Sequence, residues 1–485
     1  MLNSAIFELD EDTVSLPELL ARLTAQKHLN YRRLRRHQQA PLHNFLVQIA
    51  AMVVTERKSL PTNAAEWKKA LIELVDGDED GYELIRAPDQ PAFLQSVTTD
   101  YKDWKSIYSA DDQGIAVTSK QFDQKTGSAN TANDWAFMLI EHTFQGFSGR
   151  GNYGVSRMNG GFGSRPSVAH IPSLNTGERF VRDVNLAAKN RDELIKLGYK
   201  KRDGIKFTHL QSWKRAFTRS ELDPFFIEDC RRMRLFKNED KIFARISGTN
   251  FSRVSDESNG VVGDLWIPID NTSDAPKAFT ASVAGFSYRK TVDLLNQEKY
   301  DRSIAQDVDS DEDIEEYFFH GQVLTRGQGK TDGYHERLMR LPNGDMPQAV
   351  SQEADKRVSL VATFQNKVLR PALLALDQNG PNDVDFKSEP SKKRVARYIA
   401  QHESAVDSRF FEHLFRYAQT TEKTPERSRF RDFVLSAGEE ILEHAIDSSP
   451  FSSSRRYRAI AKAQSIFWGS AFNNDFIEKK ELDEQ

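Results

Sequence analysis

The sequence predicts an α+β protein with a large mixed α/β N-terminal domain over residues 1–350 and a C-terminal four-helix bundle over residues 351–485. Two observations lead to this fold class. Apolar residues recur at helical spacing near both ends of the chain, whereas the middle mixes short strand patterns with helices and long polar loops. The length of 485 residues is sufficient for more than one domain.

The N-terminal region begins with helices over residues 15–75, where an apolar stripe runs through Leu42, Phe45, Leu46, Ile49 and Val53. Segment 134–144 (DWAFMLIEHTF) also has a helical pattern. Further along, KIFARIS (241–247) and DLWIPID (264–270) are predicted strands, and RKTVDLLNQE (289–298) is a predicted helix.

The C-terminal region contains four long helical patterns after Pro347, with breaks at 378–391, 419–425 and 447–454. The third pattern begins at Thr424-Pro425, a cap residue followed by a proline suited to the first turn of a helix. Short connections between the patterns predict an antiparallel bundle. Its basic surface would carry Lys392, Lys393, Arg394, Arg455 and Arg456.

The composition restricts the class of protein. A hydrophobic fraction of 38% and a charged fraction of 28% are typical of soluble globular proteins. The single cysteine, Cys230, excludes an internal disulfide framework and a C-x-x-C zinc site. The acidic N-terminus lacks the basic region of a signal peptide, so we expect a cytoplasmic location. A net charge of -4 excludes a wholly basic nucleic-acid binder but allows basic faces.

The most unusual stretch is GFSGRGNYGVSRMNGGFGSRP (146–166), which contains a G-x-G-x-x-G at 149–154. A dinucleotide fingerprint follows a strand and opens a helix, and neither neighbour fits that context. Two alternatives remain: a structural loop that needs positive φ, or a loop whose bare amides approach a nucleic-acid backbone.

A second glycine-rich stretch, RGQGKTDGYHER (326–337), contains Gly329-Lys330-Thr331, which matches the end of a Walker A motif. The motif also requires a glycine five positions before Gly329, where this chain has Leu324. A hairpin tip is the simpler interpretation. A nucleotide-binding enzyme that uses these glycine loops remains an alternative, as does a structural subunit that binds only RNA or protein. No H-E-x-x-H or G-x-S-x-G motif occurs, so we expect no catalytic residues.

The ordered series TSKQFDQK (118–125), the block at 134–166, CRRMRLF (230–236), GDLWIPID (263–270), AFTASVAGFSYRKTVDLL (278–295) and GQGKTDGYHER (327–337) resembles the CasA family, the large subunits of the type I-E CRISPR surveillance complex Cascade. The resemblance spans most of the chain. It implies a non-catalytic protein without cofactor or metal that inspects the minor groove of duplex DNA for the protospacer-adjacent motif (PAM) and begins strand separation. The implied partners are double-stranded target DNA, the guide RNA (crRNA), the backbone, small and guide-end subunits of Cascade, and a recruited helicase-nuclease; no membrane is expected.

The resemblance also assigns roles to residues of this chain. The glycine loop is matched by Asn159, Gly160, Gly161 and Gly163, and the wedge by Gly327, Gln328 and Gly329. Lys277 is the candidate for the lysine finger, with Lys290 as the alternative. The guide-contacting loop should lie within 118–134, with Lys120, Phe122 and Lys125 as its candidates. Family members typically carry Asn-Gln-Ala at the wedge, so Gly-Gln-Gly predicts a more flexible tip.

Overall fold

The computed structural model describes residues 1–98, 100–102, 104–110, 130–144, 164–229, 232–247, 253–254, 259–296, 298–308, 316–327, 330–342, 346–449 and 453–477. The chain forms two compact units. The first comprises Met1–Phe286 and Gln297–Asp345, and the second comprises Ser287–Asn296 and Met346–Gln485. The predicted α+β class is confirmed, with mixed elements first and helices at the C-terminal end.

The helices of the first unit contribute side chains to one apolar core. They are α1 Leu16–Thr24, α2 Arg36–Arg57, α3 Ala64–Leu74, α4 Ala132–Phe144, α5 Thr176–Lys189 and α6 Arg191–Lys196. The predicted stripe of α2 is fully buried, and the predicted helix at 134–144 lies within α4, where nearly every side chain is buried. Helix α1 begins at a capping box in which the backbone N–H of Ser15 donates to Glu18 at 2.8 Å.

The strands of the described residues are β1 Phe7–Glu8, β2 Thr13–Val14, β3 Lys105–Ile107, β4 Pro166–Ile171, β5 Ile205–Phe207, β6 Leu222–Ile227, β7 Arg232–Asn238, β8 Lys241–Ser247, β9 Ile269–Asp270, β10 Lys277–Ala278, β11 Tyr300–Asp301, β12 Glu316–Gly327 and β13 Lys330–Pro342. They form three-stranded sheets in the orders β13-β12-β4, β3-β8-β7 and β10-β9-β11, and the pairs β1-β2 and β5-β6.

One predicted strand is mostly wrong. KIFARIS is confirmed as β8, but only Ile269 and Asp270 of DLWIPID lie in a strand. The Asp264 side chain accepts the backbone N–H of Trp266 at 2.9 Å, which closes a local turn, and Trp266 is completely buried. The apolar pattern therefore reflects a turn that packs into the core.

The second unit consists of α7 Tyr288–Asn296, α8 Gln348–Phe364, α9 Arg370–Asp377, α10 Glu389–Gln419, α11 Lys423–Ser448 and α12 Ser453–Asn473. A π-helical turn at Gln365–Leu369 joins α8 to α9. Pro371 follows it at the first turn of α9, where a regular α-helix would set its ring against the carbonyl of residue 367. The predicted helix start at Thr424-Pro425 is displaced, because α11 already begins at Lys423.

No helix in the described residues is long and apolar enough to cross a membrane.

Candidate nucleic-acid interface

The long hairpin of β12 and β13 is the centre of the candidate site. Its two strands pair from Glu316↔Pro342 to Gly327↔Lys330. The register shifts after Thr325, so that residue 332 is an extra residue in β13 near the end of the hairpin. A bulge of this kind increases the local twist and reorients the end of a hairpin. The hairpin end, defined here as residues 324–334, contains this irregularity.

Strand β4 connects the hairpin to the glycine-rich segment. It runs antiparallel to β12, from Val323↔Pro166 to Phe318↔Ile171. The chain therefore enters β4 at the end of the sheet nearer the hairpin end. Gly327 follows Val323 by four residues, which is about 13 Å of extended chain at ~3.3 Å per residue. The sheet brings the residues that follow Gly163 close to the hairpin end.

Ser164 and Arg165, which lead into β4, are fixed by two contacts. Ser164 has a φ of 61°, and its carbonyl accepts the backbone N–H of Ala281 at 3.0 Å. Arg165 is buried and forms an ion pair with the equally buried Asp264. Arg165 thus anchors the C-terminal end of the glycine-rich segment and does not point outward as a free cation.

Lys277, the candidate finger, lies in β10 and is directly opposite Asp270 of β9. Its side chain is 52% exposed, and its Nζ is 3.8 Å from a carboxylate oxygen of Asp270. Four residues later, Ala281 donates its backbone N–H to Ser164. Lys277 is therefore within about 14 Å of extended chain of the end of the glycine-rich segment. The alternative, Lys290, lies on α7 of the second unit and is 3.6 Å from Asp293.

The segment that follows Lys277, residues 279–286, packs along the hairpin. Gly285 has a φ of 57°, and an added Cβ would lie 2.4 Å from Cγ of His335 on β13. The ring of Phe286 covers Gly321 of β12, and the Nε of Arg337 donates to the carbonyl of Phe286 at 2.6 Å. Gly285 and Gly321 are therefore required for close approach, which a side chain would prevent.

Val283 lies in this segment between the contacts of Ala281 and Gly285, and it is 66% exposed. Such exposure is large for an apolar side chain in a segment that is fixed on both sides, by Ala281 and by Gly285. Sequence reasoning missed Val283, because a single valine in an Ala/Gly/Ser stretch gives no periodic signal.

The face of the hairpin near Arg179 of α5 carries a buried polar network. The Arg179 guanidinium donates to Nδ1 of His320 at 3.1 Å, and Nε2 of His320 is 2.9 Å from Glu336. A guanidinium can only donate, so Nδ1 accepts and the proton resides on Nε2. Burial lowers the pKa of His320, and the hydrogen bond to Glu336 only partly offsets this effect. His320 is therefore neutral near pH 7.

The same network borders a cavity of about 660 Å³ in the first unit. Nε2 of His43 donates to Asp183 at 2.7 Å. Burial lowers the pKa of His43 to about 4, with a further contribution from Arg179. Burial opposes ionisation of Asp183, but the hydrogen bond from His43 and the nearby arginines lower its pKa to about 2. The pair links helix α2 to helix α5.

Several predicted residues lie outside the described residues: Asn159, Gly160, Gly161 and Gly163 of the glycine loop, Gln328 and Gly329 of the wedge, and Lys120, Phe122 and Lys125 of the guide-contacting loop. Gly327 is described and forms the last backbone pair of β12 with Lys330. The structure thus describes Gly327 of the wedge, together with Lys330 and Ser164, the first described residues after the wedge and the glycine loop.

Lys330 and Thr331 of the Gly-Lys-Thr tripeptide begin β13. A phosphate-binding loop would instead lead into a helix. Within the described parts of the chain, no group of three His, Cys, Asp or Glu side chains could hold a metal ion.

The predicted basic surface of the second unit is only partly available. Arg394 makes two hydrogen bonds to Asp377, at 2.8 and 2.7 Å, and Lys392 is 2.8 Å from Glu389. Lys393 on α10 and Arg455 and Arg456 on α12 are exposed. These three side chains are the cations of the surface that remain free of ion pairs within the described residues.

Comparison with solved structures shows the same fold in CasA proteins. CasA (Cse1) of Thermus thermophilus superposes with a TM-score of 0.67 at 12% identity and covers 97% of this chain and 98% of that chain. Cse1 of Thermobifida fusca gives 0.68 at 14% identity, with 98% of each chain covered. The CRISPR-associated protein Cse1 of Acidimicrobium ferrooxidans gives 0.63 at 11% identity, with 97% of each chain covered. No family model matches the sequence, and no curated protein matches it. The likeness predicted from the sequence is thus confirmed for the fold.

Proposed function

We propose that this chain is a CasA-type large subunit of a type I-E CRISPR surveillance complex. In this role it is a non-catalytic DNA-binding subunit that reads the PAM in the minor groove of target duplex DNA. It then starts strand opening for R-loop formation. The observation that carries the proposal is made in a chain with the CasA fold. The end of the glycine-rich segment and the hairpin end lie at the same end of the β4-β12-β13 sheet.

The physical demands of the minor groove agree with these residues. The groove is narrow and presents a degenerate pattern of donors and acceptors, so a loop that enters it must be slim. Gly160, Gly161 and Gly163 provide backbone without side chains. Lys277, with half of its side chain exposed, supplies a cation for phosphates or groove edges.

Strand opening requires a group that separates neighbouring base pairs, and unstacking costs a few kcal/mol per step. Gln328, between the paired residues Gly327 and Lys330, is the proposed wedge. The exposed Val283 is a second candidate, because apolar side chains serve as wedges in minor-groove binders. The free energy gained when the target strand pairs with the guide RNA nearly balances the free energy lost when the DNA duplex opens. The subunit therefore need only nucleate opening.

The remaining roles belong to the same proposal. Lys120, Phe122 and Lys125 would contact the guide RNA, and other Cascade subunits would hold the chain in a cytoplasmic ribonucleoprotein. Lys393, Arg455 and Arg456 would form a nucleic-acid surface of the second unit. The assembled complex would then recruit the helicase-nuclease.

The test uses a guide-loaded complex that lacks this chain. The chain is titrated in, and binding of a target duplex with a randomised PAM flank is measured. We expect binding only with the chain and only for a subset of flanks, which then defines the PAM. Failure of the chain to join the complex, or binding that is indifferent to the flank, would contradict the proposal.

Variants locate the interface in the same assay. Lys277→Ala should weaken duplex binding several-fold and reduce the slope of log Kd against log salt by about 1. Lys196→Ala is the matched control, because Lys196 is also an exposed lysine next to a carboxylate, with 69% of its side chain accessible. Gln328→Ala should leave initial binding intact but slow strand opening, measured with a fluorescent base beside the PAM. Equal loss with Lys196→Ala would reject the assignment of Lys277.

A further inference from the structure

The sheet of β3, β8 and β7 has one face in the core and one face that carries a row of aromatic rings. Leu235, Ala244 and Ile107 belong to the core face and are buried. On the other face, Phe236 of β7 and Phe243 of β8 are directly opposite each other. Tyr108 follows β3 one residue after the Ile107↔Ala244 pair, which places it beside Phe243.

The rings form a continuous row across the three strands. Tyr108 and Phe243 have centroids 5.9 Å apart with an interplanar angle of 28°, and Phe243 and Phe236 are 5.5 Å apart at 23°. Tyr101 then contacts Phe236 at 5.2 Å and Trp104 at 5.1 Å. Tyr108, at the outer end, is 51% exposed, whereas the inner rings are half-buried. The row therefore ends in an available aromatic ring.

Cations lie along the same row. The Arg245 guanidinium is 5.2 Å from the centroid of Phe236, and the Arg232 guanidinium is 5.1 Å from that of Trp104. Neither arginine forms an ion pair with a carboxylate in the described parts of the chain. Burial lowers the pKa of Arg232, and the nearby Asp100 opposes this effect. Within the described residues, two arginines outside any ion pair are thus held against aromatic rings.

Lys241 extends this charge, since it lies on the same side of β8 as Phe243 and Arg245 and is exposed. The acidic residues Glu239 and Asp240 occupy the turn between β7 and β8 and mark one end of the surface. Positive charge and aromatic rings are therefore both present on the sheet itself.

We propose that this surface, the ring face, defined by Tyr108, Phe243, Phe236, Arg245 and Arg232, binds single-stranded nucleic acid. Unpaired bases stack on Tyr108 and continue the ring row, while the cations contact the phosphates. Rings combined with cations are how sheet surfaces bind single strands without reading sequence. A duplex keeps its bases stacked inside and cannot use the row. The ring face is thus distinct from the duplex interface proposed above.

The test is fluorescence anisotropy of the full-length chain with 5′-labelled dT12, U12 and a matched 12-bp duplex at about 50 mM salt, where phosphate contacts are strong. Tyr108→Ala should weaken single-strand binding by about 5-fold to 150-fold, the range that base–aromatic stacking provides. Phe386→Ala, which removes a ring of nearly equal exposure (49%) from the second unit, is the matched control and should bind as the wild type does. A preference for dT12 or U12 distinguishes a DNA strand from an RNA strand.

Absence of single-strand binding, or equal affinity of Tyr108→Ala and wild type, would overturn the ring-face proposal. A second result would also overturn it: neither oligonucleotide binds, and adding the other Cascade subunits slows hydrogen exchange at residues 104–108. The surface would then be a protein interface. Thermal unfolding of both variants confirms that they are folded. Duplex binding by the reconstituted complex is read separately, so either proposal can fail while the other stands.

Discussion

Substitution of Gly285 by alanine tests whether segment 279–286 is rigidly held on the hairpin. Gly285 has a φ of 57°, and its added Cβ would lie 2.4 Å from Cγ and 2.5 Å from Cβ of His335. A rotation about χ1 could move the imidazole but not the Cβ of His335. The backbone of the segment or of β13 must therefore shift.

The magnitude follows from two costs. The left-handed conformation costs an L-residue ~1–2 kcal/mol, and overpacking a close contact costs ~1–3 kcal/mol. We expect Gly285→Ala to lower the free energy of unfolding by about 2–5 kcal/mol. Because the segment carries Val283 and follows Lys277, we also expect weaker duplex binding by the reconstituted complex.

The assay is urea unfolding followed by tryptophan fluorescence, since five of the six tryptophans belong to the first unit. Gly333→Ala is the matched control. Its Cβ would meet the same histidine, but at 3.4 Å from Nε2, a distance that a small shift of the ring relieves. We expect the control to stay within about 1 kcal/mol of wild type.

The combination with His335→Ala sharpens the test. Alanine at 335 removes the ring but retains the Cβ that lies 2.5 Å from the new methyl group. Most of the loss should therefore persist in the double variant. Complete recovery, or a Gly285→Ala variant as stable as wild type, would refute the close packing of segment and hairpin.

Three further outcomes are expected. His43 is buried and neutral in the folded chain, with a pKa of about 4, but it gains a proton on unfolding below pH 6.5. Lowering the pH from 7 to 5 should therefore reduce the free energy of unfolding by about 2 kcal/mol through this residue. His43→Gln should flatten the dependence of the urea midpoint on pH over that window. Arg165→Gln leaves a buried carboxylate unpaired and should cost about 3–5 kcal/mol, visible as a lower Tm. Gly438→Ala sets a methyl group 2.3 Å from the buried ring of Phe364 and should lower the Tm. Gly469→Ala, whose methyl group would have no other atom within 4 Å, should stabilise α12 by about 0.5–1 kcal/mol. The reverse order of the two melting temperatures would contradict this packing.

The helices were the most predictable part of the fold, because their signal is local. The stripe of α2 and the breaks between α8 and α12 follow directly from apolar spacing and helix-breaking residues. The start of α11 and the DLWIPID turn were misassigned. In the turn, apolar residues such as the buried Trp266 give the sequence a strand-like pattern. The Asp264 side chain accepts the backbone N–H of Trp266, so this segment forms a turn instead of a strand.

The candidate site could be predicted only in part. Glycine-rich stretches indicated where backbone is exposed, and the resemblance named their roles. The pairing of β4 with β12 joins residues about 150 positions apart, and no local pattern encodes it. Val283 and the ring face depend on tertiary neighbours in the same way, since the rings of Tyr108, Phe243 and Phe236 come from three separate segments, the residue after β3 and the strands β8 and β7.

Helix α7 belongs to the second unit although residues of the first unit flank it in sequence. During synthesis it leaves the ribosome before the hairpin that completes the β4-β12-β13 sheet. Its ion pair between Arg289 and Glu403 and its ring contact between Tyr288 and Phe410 form only after more than 100 further residues have been added. The second unit therefore cannot finish folding until Glu403 and Phe410 of α10 have been translated, and a chain divided between residues 345 and 346 would leave the second unit without one of its helices.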